Sequence, residues 1–158
     1  MKITKLFSVL ILGLLVTLAA CGGDDDNNEE QQGQNSFMAT LNGVDYIPQF
    51  VTSFKTVSLN NILITGDMGT GETMQLFLSG DVTPGTYEWS TITMAQYSTT
   101  GDFEDGGFAN TGNVTVTAHN SSEKTISGTF NFTTIPSMSN QTVYTITEGE
   151  FSVTYTDI

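Results

Sequence analysis

Between Lys124 and Thr133 the chain alternates without a break. Ile126, Gly128, Phe130 and Phe132 fall on one side, and Thr125, Ser127, Thr129, Asn131 and Thr133 on the other. A period of two puts successive side chains on opposite faces of an extended strand, so this segment has one core face and one wet face. Val, Ile, Phe, Tyr and Thr recur with the same rhythm from Ser36 to Ile158, between turns of Gly, Asn, Asp and Ser, and nowhere is there a 3.6-residue period. This part of the chain reads as all-β.

Phe37, Ala39 and Leu41 point one way, and Asn42-Gly43 supplies the positive-φ pair of a type I′ turn, so Val44 to Ile47 returns as a hairpin partner. Pro48 ends or displaces that strand. Val57 to Leu59 and Ile62 to Thr65 read as strand material around Asn60-Asn61, Met74, Leu76 and Leu78 as another alternating strand, and Pro84-Gly85 as a turn. Tyr87 and Trp89 share one face, and Val114, Val116 and Ala118 share another. Tyr144 and Ile146 occupy even positions but Phe151, Val153 and Tyr155 odd ones, so a bulge or tight turn near Gly149 is needed to restore inward parity. The Lys124 to Thr134 and Val143 to Tyr155 segments are expected partners, joined by a short loop containing Pro136. Short strands with regular turn signals predict a single antiparallel β-sandwich or flattened barrel, with a lipocalin-like closed barrel as the alternative. The 123 residues from Ser36 to Ile158 are enough for one such domain.

The N-terminus has another character. Lys2 and Lys5 precede an apolar run from Leu6 to Val16 that is too short to span a bilayer, and Leu18, Ala19, Ala20 and Cys21 follow. Residues 1–20 read as a lipoprotein signal peptide. The small residues before Cys21 resemble the lipobox of the bacterial lipoprotein pathway, in which the cysteine is alkylated with diacylglycerol and becomes the new N-terminus. Several acyl chains make such an anchor effectively permanent. Residues 22–35, GGDDDNNEEQQGQN, contain no apolar side chain and five acids. Together with Cys21 they read as a lipidated, disordered acidic tether, about 20 Å long as a flexible coil. Asp24, Asp25 and Asp26 resemble the acidic signal that sends lipoproteins of Bacteroidota to the outer face of the outer membrane, which places the protein there, lipid-anchored at the cell surface.

After cleavage only Lys55 and Lys124 remain against seventeen acids, a formal charge of minus fifteen, and the chain has no arginine. Nucleic acid is excluded as a partner, because phosphate binding needs clustered cations. The same charge repels anionic headgroups, so the membrane is met through the lipid anchor alone. With a single cysteine there is no intrachain disulfide.

His119 is the only histidine, no serine stands in a nucleophile-elbow setting and the lone cysteine is lipidated, so the chain does not read as an enzyme and offers no zinc set. His119, beside Asn120 and Ser121, reads as a solvated turn residue. Glu148 and Glu150 invite a glycosidase pair but read more simply as an exposed charged bend at Gly149. The loop GDFEDGG offers Asp102, Glu104 and Asp105 as oxygen ligands for calcium, the one cofactor considered, without EF-hand spacing. Tyr97, Phe103 and Phe108 lie in or beside that connection, with Tyr87 and Trp89 at its start, and form the candidate ligand-binding residues. The threonine-rich outer face of Lys124 to Thr133 is a second surface suited to a polysaccharide.

The order FMATLNGVDY, PGTY, KTISGTFNF and ITEGEFSV resembles the uncharacterised lipoproteins of Bacteroidota grouped as a domain of unknown function. The resemblance implies a small outer-membrane or surface lipoprotein with a β-rich domain, and it brings no catalytic residues. Three functions follow as expectations. The first is a non-catalytic binding module for a glycan, peptide or envelope protein, the second a structural or assembly lipoprotein, and the third a lipocalin-like carrier of an apolar ligand.

Overall fold

The computed structural model describes residues 35–158 apart from 91, 92 and 140. Cys21, the signal peptide and residues 22–34 lie outside them. The strands are β1 (Ser36–Leu41), β2 (Val44–Tyr46), β3 (Phe50–Thr56), β4 (Asn61–Asp67), β5 (Thr73–Ser79) and β6 (Gly85–Glu88), followed by β7 (Met94–Ser98), β8 (Gly107–Asn120), β9 (Thr125–Thr134), β10 (Thr145–Thr154) and β11 (Thr156–Asp157). A single 3-10 turn, Phe103–Asp105, precedes β8.

All eleven strands belong to one sheet in the order β11-β3-β4-β5-β7-β8-β9-β10-β1-β2, with β6 paired to β8 beside that path. The sheet is curled but open, a half-barrel that fits the expected sandwich or flattened barrel. It is not the closed barrel of the lipocalin-like alternative. All pairings are antiparallel except that of β11 with β3. β8 is the corner: Gly107 and Phe108 pair with β7, and the strand from Ala109 onward pairs with β9. Its turn is made possible by a register shift between Ala109 and Thr111 and by Gly112 at φ +110, a backbone region that suits glycine.

The two halves of the sheet face each other across one core. Phe37 on β1 packs on Gly66 of β4 so closely that a Cβ there would stand 2.8 Å from its ring. From β2, the Tyr46 hydroxyl donates to the Gly66 carbonyl at 2.8 Å, and the Tyr97 ring of β7 meets Tyr144 at 4.7 Å. Ile62, Ile64, Met74, Leu76 and Leu78 from one half fill the space against Ile126, Phe130, Phe132 and Phe151 from the other.

The β1–β2 hairpin turns at Asn42-Gly43, both at positive φ, and β9 pairs with β10 as the alternation requires. The parity change near Gly149 is a bulge: the register shifts between Ile146 and Gly149, and Glu148 takes φ +52. Two readings need correction. Val57 to Leu59 is not strand but turn, closed by Asn60 N donating to Val57 O, and the strand lies upstream as β3. Ala118 does not share the inward face of Val114 and Val116, because a second shift on β8 between Val116 and Ala118 turns His119 inward opposite Ile126.

The β10 bulge leaves Gly149 directly over Phe130. A Cβ at Gly149 would stand 2.6 Å from that ring and from the Phe130 carbonyl oxygen. Gly149→Ala is therefore expected to cost about 1–3 kcal/mol by overpacking, measured by urea unfolding. An unchanged midpoint would mean that β10 slides to another register at no cost.

Candidate functional site

Tyr87, Trp89, Tyr97 and Phe108 do not form a solvent-facing cluster. Tyr97 is corrected outright: it lies in β7, 3% exposed, with its ring in the core. Tyr87 and Trp89 pack against the core from its rim. The Tyr87 hydroxyl donates to Thr83 O at 2.8 Å, and Trp89 Nε1 donates to Asn131 O at 2.8 Å while its ring meets Phe132 edge-on. Phe103 opens the 3-10 turn, and Phe108 remains exposed on β8.

The acidic loop is organised around its own hydrogen bonds. Thr100 Oγ1 donates to Asp105 Oδ2 at 2.8 Å, and the bonds from Thr100 and then Ser139 hold the Asp105 carboxyl below the usual carboxylate range. Asp102 stands at the N-cap position of the turn containing Glu104, without a side-chain capping bond. Among the described residues no group of three or more His, Cys, Asp or Glu side chains is placed to hold a metal ion, and Asp102, Glu104 and Asp105 do not converge. His119 is not the free turn residue that its neighbours suggested. Its Nδ1 lies 2.7 Å from the Val82 carbonyl and its Nε2 lies 3.0 Å from the Tyr155 hydroxyl. A carbonyl only accepts, so Nδ1 donates to Val82, and in the neutral ring Nε2 accepts from Tyr155. Glu148 and Glu150 are exposed on the bulge, with Thr40 donating to Glu148.

An indentation runs along β3, which sequence did not mark as a strand. β4 pairs with β3 along its whole length, but on the other edge β11 reaches only Phe54 and Lys55. There Ile158 N donates to Lys55 O, and Val57 N donates to Ile158 O. Backbone groups alternate sides along a strand, so the N–H and C=O of Val51 and Ser53 point the same way as those of Lys55. The parallel bridge of Thr156 with Phe54 uses the Ser53 carbonyl as an acceptor, so the groups on that edge that no described strand pairs with are the Ser53 N–H and both backbone groups of Val51. Beside them is a cleft of about 630 Å³, lined by Pro48 and Gln49 of the β2–β3 connection, by Thr154 and Thr156 where β10 passes into β11, and by Asn35. Asn35 belongs to the fold: its Oδ1 accepts from Thr154 N at 2.8 Å. Ser53 also lines the cleft; it is 5% exposed, and its buried Oγ has no hydrogen-bond partner.

The outer faces of the two halves differ. Beyond β9 the surface is a ladder of paired polar groups, with Thr86–Thr115 hydroxyls 2.9 Å apart, Thr111–Thr133 2.6 Å apart and Asn131 Nδ2 donating to Asn113 Oδ1 at 3.3 Å. Across the other half the register sets Phe54 opposite Leu63, Leu63 opposite Phe77 and Phe77 opposite Met94, an apolar row that ends at the cleft. Phe50, on the same face of β3, is 58% exposed.

Electrostatics tie the halves together. Burial, and then the hydrogen bond that its hydroxyl donates to Glu72 Oε1 at 2.8 Å, push the ionisation of Tyr97 above the usual tyrosine range. Burial, and then the charges of Glu72 and Asp67, do the same to Tyr46. Both phenols are therefore neutral in the folded state at pH values where they ionise in the unfolded chain, about 10. Their stabilisation is intact below that pH and declines above it by up to about 1.4 kcal/mol per pH unit for each tyrosine. Urea midpoints should fall steeply above pH 10, and Tyr97→Phe should lower the slope by about one proton's worth. An unchanged slope would show that Tyr97 ionises freely in the fold.

The model of the domain of unknown function DUF6252 matches residues 33–153, and the chain belongs to that family. No curated protein and no solved structure matches the chain.

Proposed function

We propose that this member of the DUF6252 family is a non-catalytic binding module of the cell envelope, which takes up an extended segment of a partner protein as an added strand on β3. In this reading Cys21 is lipidated after removal of residues 1–20. The acidic tether then holds the β domain off the outer membrane, at the cell surface. The observation that carries the proposal is the open edge at Val51 and the Ser53 N–H, beside a cleft. An unpaired strand edge is a template for another chain, because main-chain hydrogen bonds supply affinity whatever the sequence and alternate side chains supply selectivity.

Other readings have less behind them. A carrier needs an unfilled interior, whereas the space between the halves is occupied by core side chains. The glycan reading rests on the polar ladder, whose hydroxyls and amides already bond one another. An assembly role is compatible with strand addition, since a partner held in this way is a form of assembly.

Val51→Pro removes a donor that faces the cleft and leaves the pairing of β3 with β4 in place, the one setting in which a strand accepts proline. In cells that make the protein, a photo-crosslinking residue at Thr52 is expected to form a defined adduct with one envelope protein, and Val51→Pro in the same chain should abolish it. The same residue at Thr115, on the polar face, should form none. Cys21→Ser should move the chain from the membrane fraction to the soluble fraction. Adducts of equal yield from Thr52 and Thr115, or adducts indifferent to Val51→Pro, would overturn strand addition.

A further inference from the structure

We infer that the outer face of β3, β4, β5 and β7 is a second binding surface, separate from the strand edge, and that it takes an uncharged, extended β-1,4-linked glycan laid across the strands. In an antiparallel sheet residues directly opposite one another share a face, so the register converts into rows that cross the strands. The middle row is Phe54, Leu63, Phe77 and Met94. Phe54 and Met94 are exposed, and Leu63 and Phe77 half-buried. This apolar stripe is one residue wide. On one side of it stand Thr52, Thr65 and Gln75, and on the other Thr56, Asn61 and Ser79, each row about 7 Å away along the strands.

A pyranose ring has two apolar C–H faces and a rim of hydroxyls. A flat glycan ribbon therefore needs an apolar floor with hydrogen-bonding groups along both edges, and the three rows have that order. Neighbouring strands lie about 4.8 Å apart, close to the spacing of successive rings in an extended β-1,4-linked chain, so each ring of the ribbon stands over one strand. Alternate rings of such a ribbon present the same face. Phe54 and Phe77, two strands or about 10 Å apart, meet alternate rings, with Leu63 under the ring between them. Along the edge, Thr65 Oγ1 accepts from Gln75 Nε2 at 3.4 Å, a long bond that leaves the threonine hydroxyl proton for a sugar oxygen.

Charge chooses between occupants. From Ser36 to Ile158 the chain carries twelve acids and two lysines, yet none of the residues in the three rows is charged. Asp67, opposite Phe50, lies two rows from the stripe. An acidic glycan is repelled by such a protein, and a basic ligand finds no partner in these rows, so the face suits a neutral one. A second copy is disfavoured on two counts. Two acidic domains repel, and a stripe one residue wide between polar rows lacks the broad apolar core of a homodimer interface. The polar ladder beyond β9 is a different surface, since β9 carries only Thr, Ser and Asn on its outer face and offers no apolar floor.

The test is calorimetric titration of the full-length protein, in a detergent without a sugar headgroup, with cellohexaose, xylohexaose and mannohexaose. At least one of the three is expected to bind with a dissociation constant at or below about 1 mM. Phe54→Ala and Phe77→Ala should each weaken that binding about tenfold. Phe54→Trp, which enlarges the stacking ring, should tighten it, a gain that general destabilisation would not produce. Maltohexaose, whose α-linkages curve the chain, should bind at least tenfold more weakly, and hexagalacturonate should not bind at low salt. Val51→Pro should leave glycan binding unchanged, because the face and the edge are separate surfaces. If none of the three hexaoses binds, or if binding ignores both Phe54→Ala and Phe77→Ala, the proposal is overturned. Equal binding of maltohexaose would overturn the extended geometry, and loss of binding in Val51→Pro alone would move the glycan to the cleft. Concentration-dependent dimers of the protein alone that Phe54→Ala and Phe77→Ala dissolve would assign the face to a second copy and overturn the glycan.

Discussion

A sheet with one apolar face must cover that face, and among the described residues there is neither a helix layer nor a separate sheet to do it. The molecule solves this by folding the sheet over itself, and everything else depends on how the corner is made. β8 makes it, through a register shift at Asn110 and a glycine at positive φ. The close approach it permits brings Phe37 onto Gly66 and the Tyr46 hydroxyl onto the Gly66 carbonyl. Bulges correct the facing of individual strands. The shift on β8 near Thr117 turns His119 inward, and the one on β10 at Glu148 returns Phe151 and Val153 to the core.

Self-covering has a consequence at the far side from the corner. The halves are joined there by the β2–β3 connection and by the passage of β10 into β11, and β11 is only two residues long. It pairs with the end of β3 and leaves the beginning open, so the cleft lies where the curled sheet fails to close. Natural proteins usually protect such an edge with charge, proline or a covering loop. Here Pro48 and Gln49 bound the opening, and the buried Ser53 hydroxyl beside it lacks a partner. An unsatisfied buried hydroxyl costs stability.

The strands whose inner face is uniformly apolar were legible from alternation alone: Ile126 to Phe132, Met74 to Leu78 and the β1–β2 hairpin with its Asn42-Gly43 turn. The bulge near Gly149 was legible because apolar parity changes there. β3 was not, for a specific reason. Its inward residues are Val51, Ser53 and Lys55 while its outward ones include Phe50 and Phe54, so the apolar signal points to the wrong face. Tyr97 was misplaced because its strand is five residues long with buried residues on both faces, which erases the alternation. The environment of His119 depended on a one-residue shift that no local pattern announces. The candidate-site residues missed by sequence are thus those where the packing rule is inverted, and an exposed Phe-x-x-x-Phe spacing around a buried serine was the available signal.

Membership of the DUF6252 family supplies no chemistry, so the functional account rests on the state of one strand edge. Amide hydrogen exchange of the free full-length protein tests it most directly. The account predicts that Val51 and Ser53 exchange at close to unstructured rates while Thr52 and Phe54, which pair with β4, are protected, and that Val51 and Ser53 become protected when a strand is added. Protection of Val51 and Ser53 equal to that of Thr52 in the free protein would show that the edge is already closed, and would contradict the account.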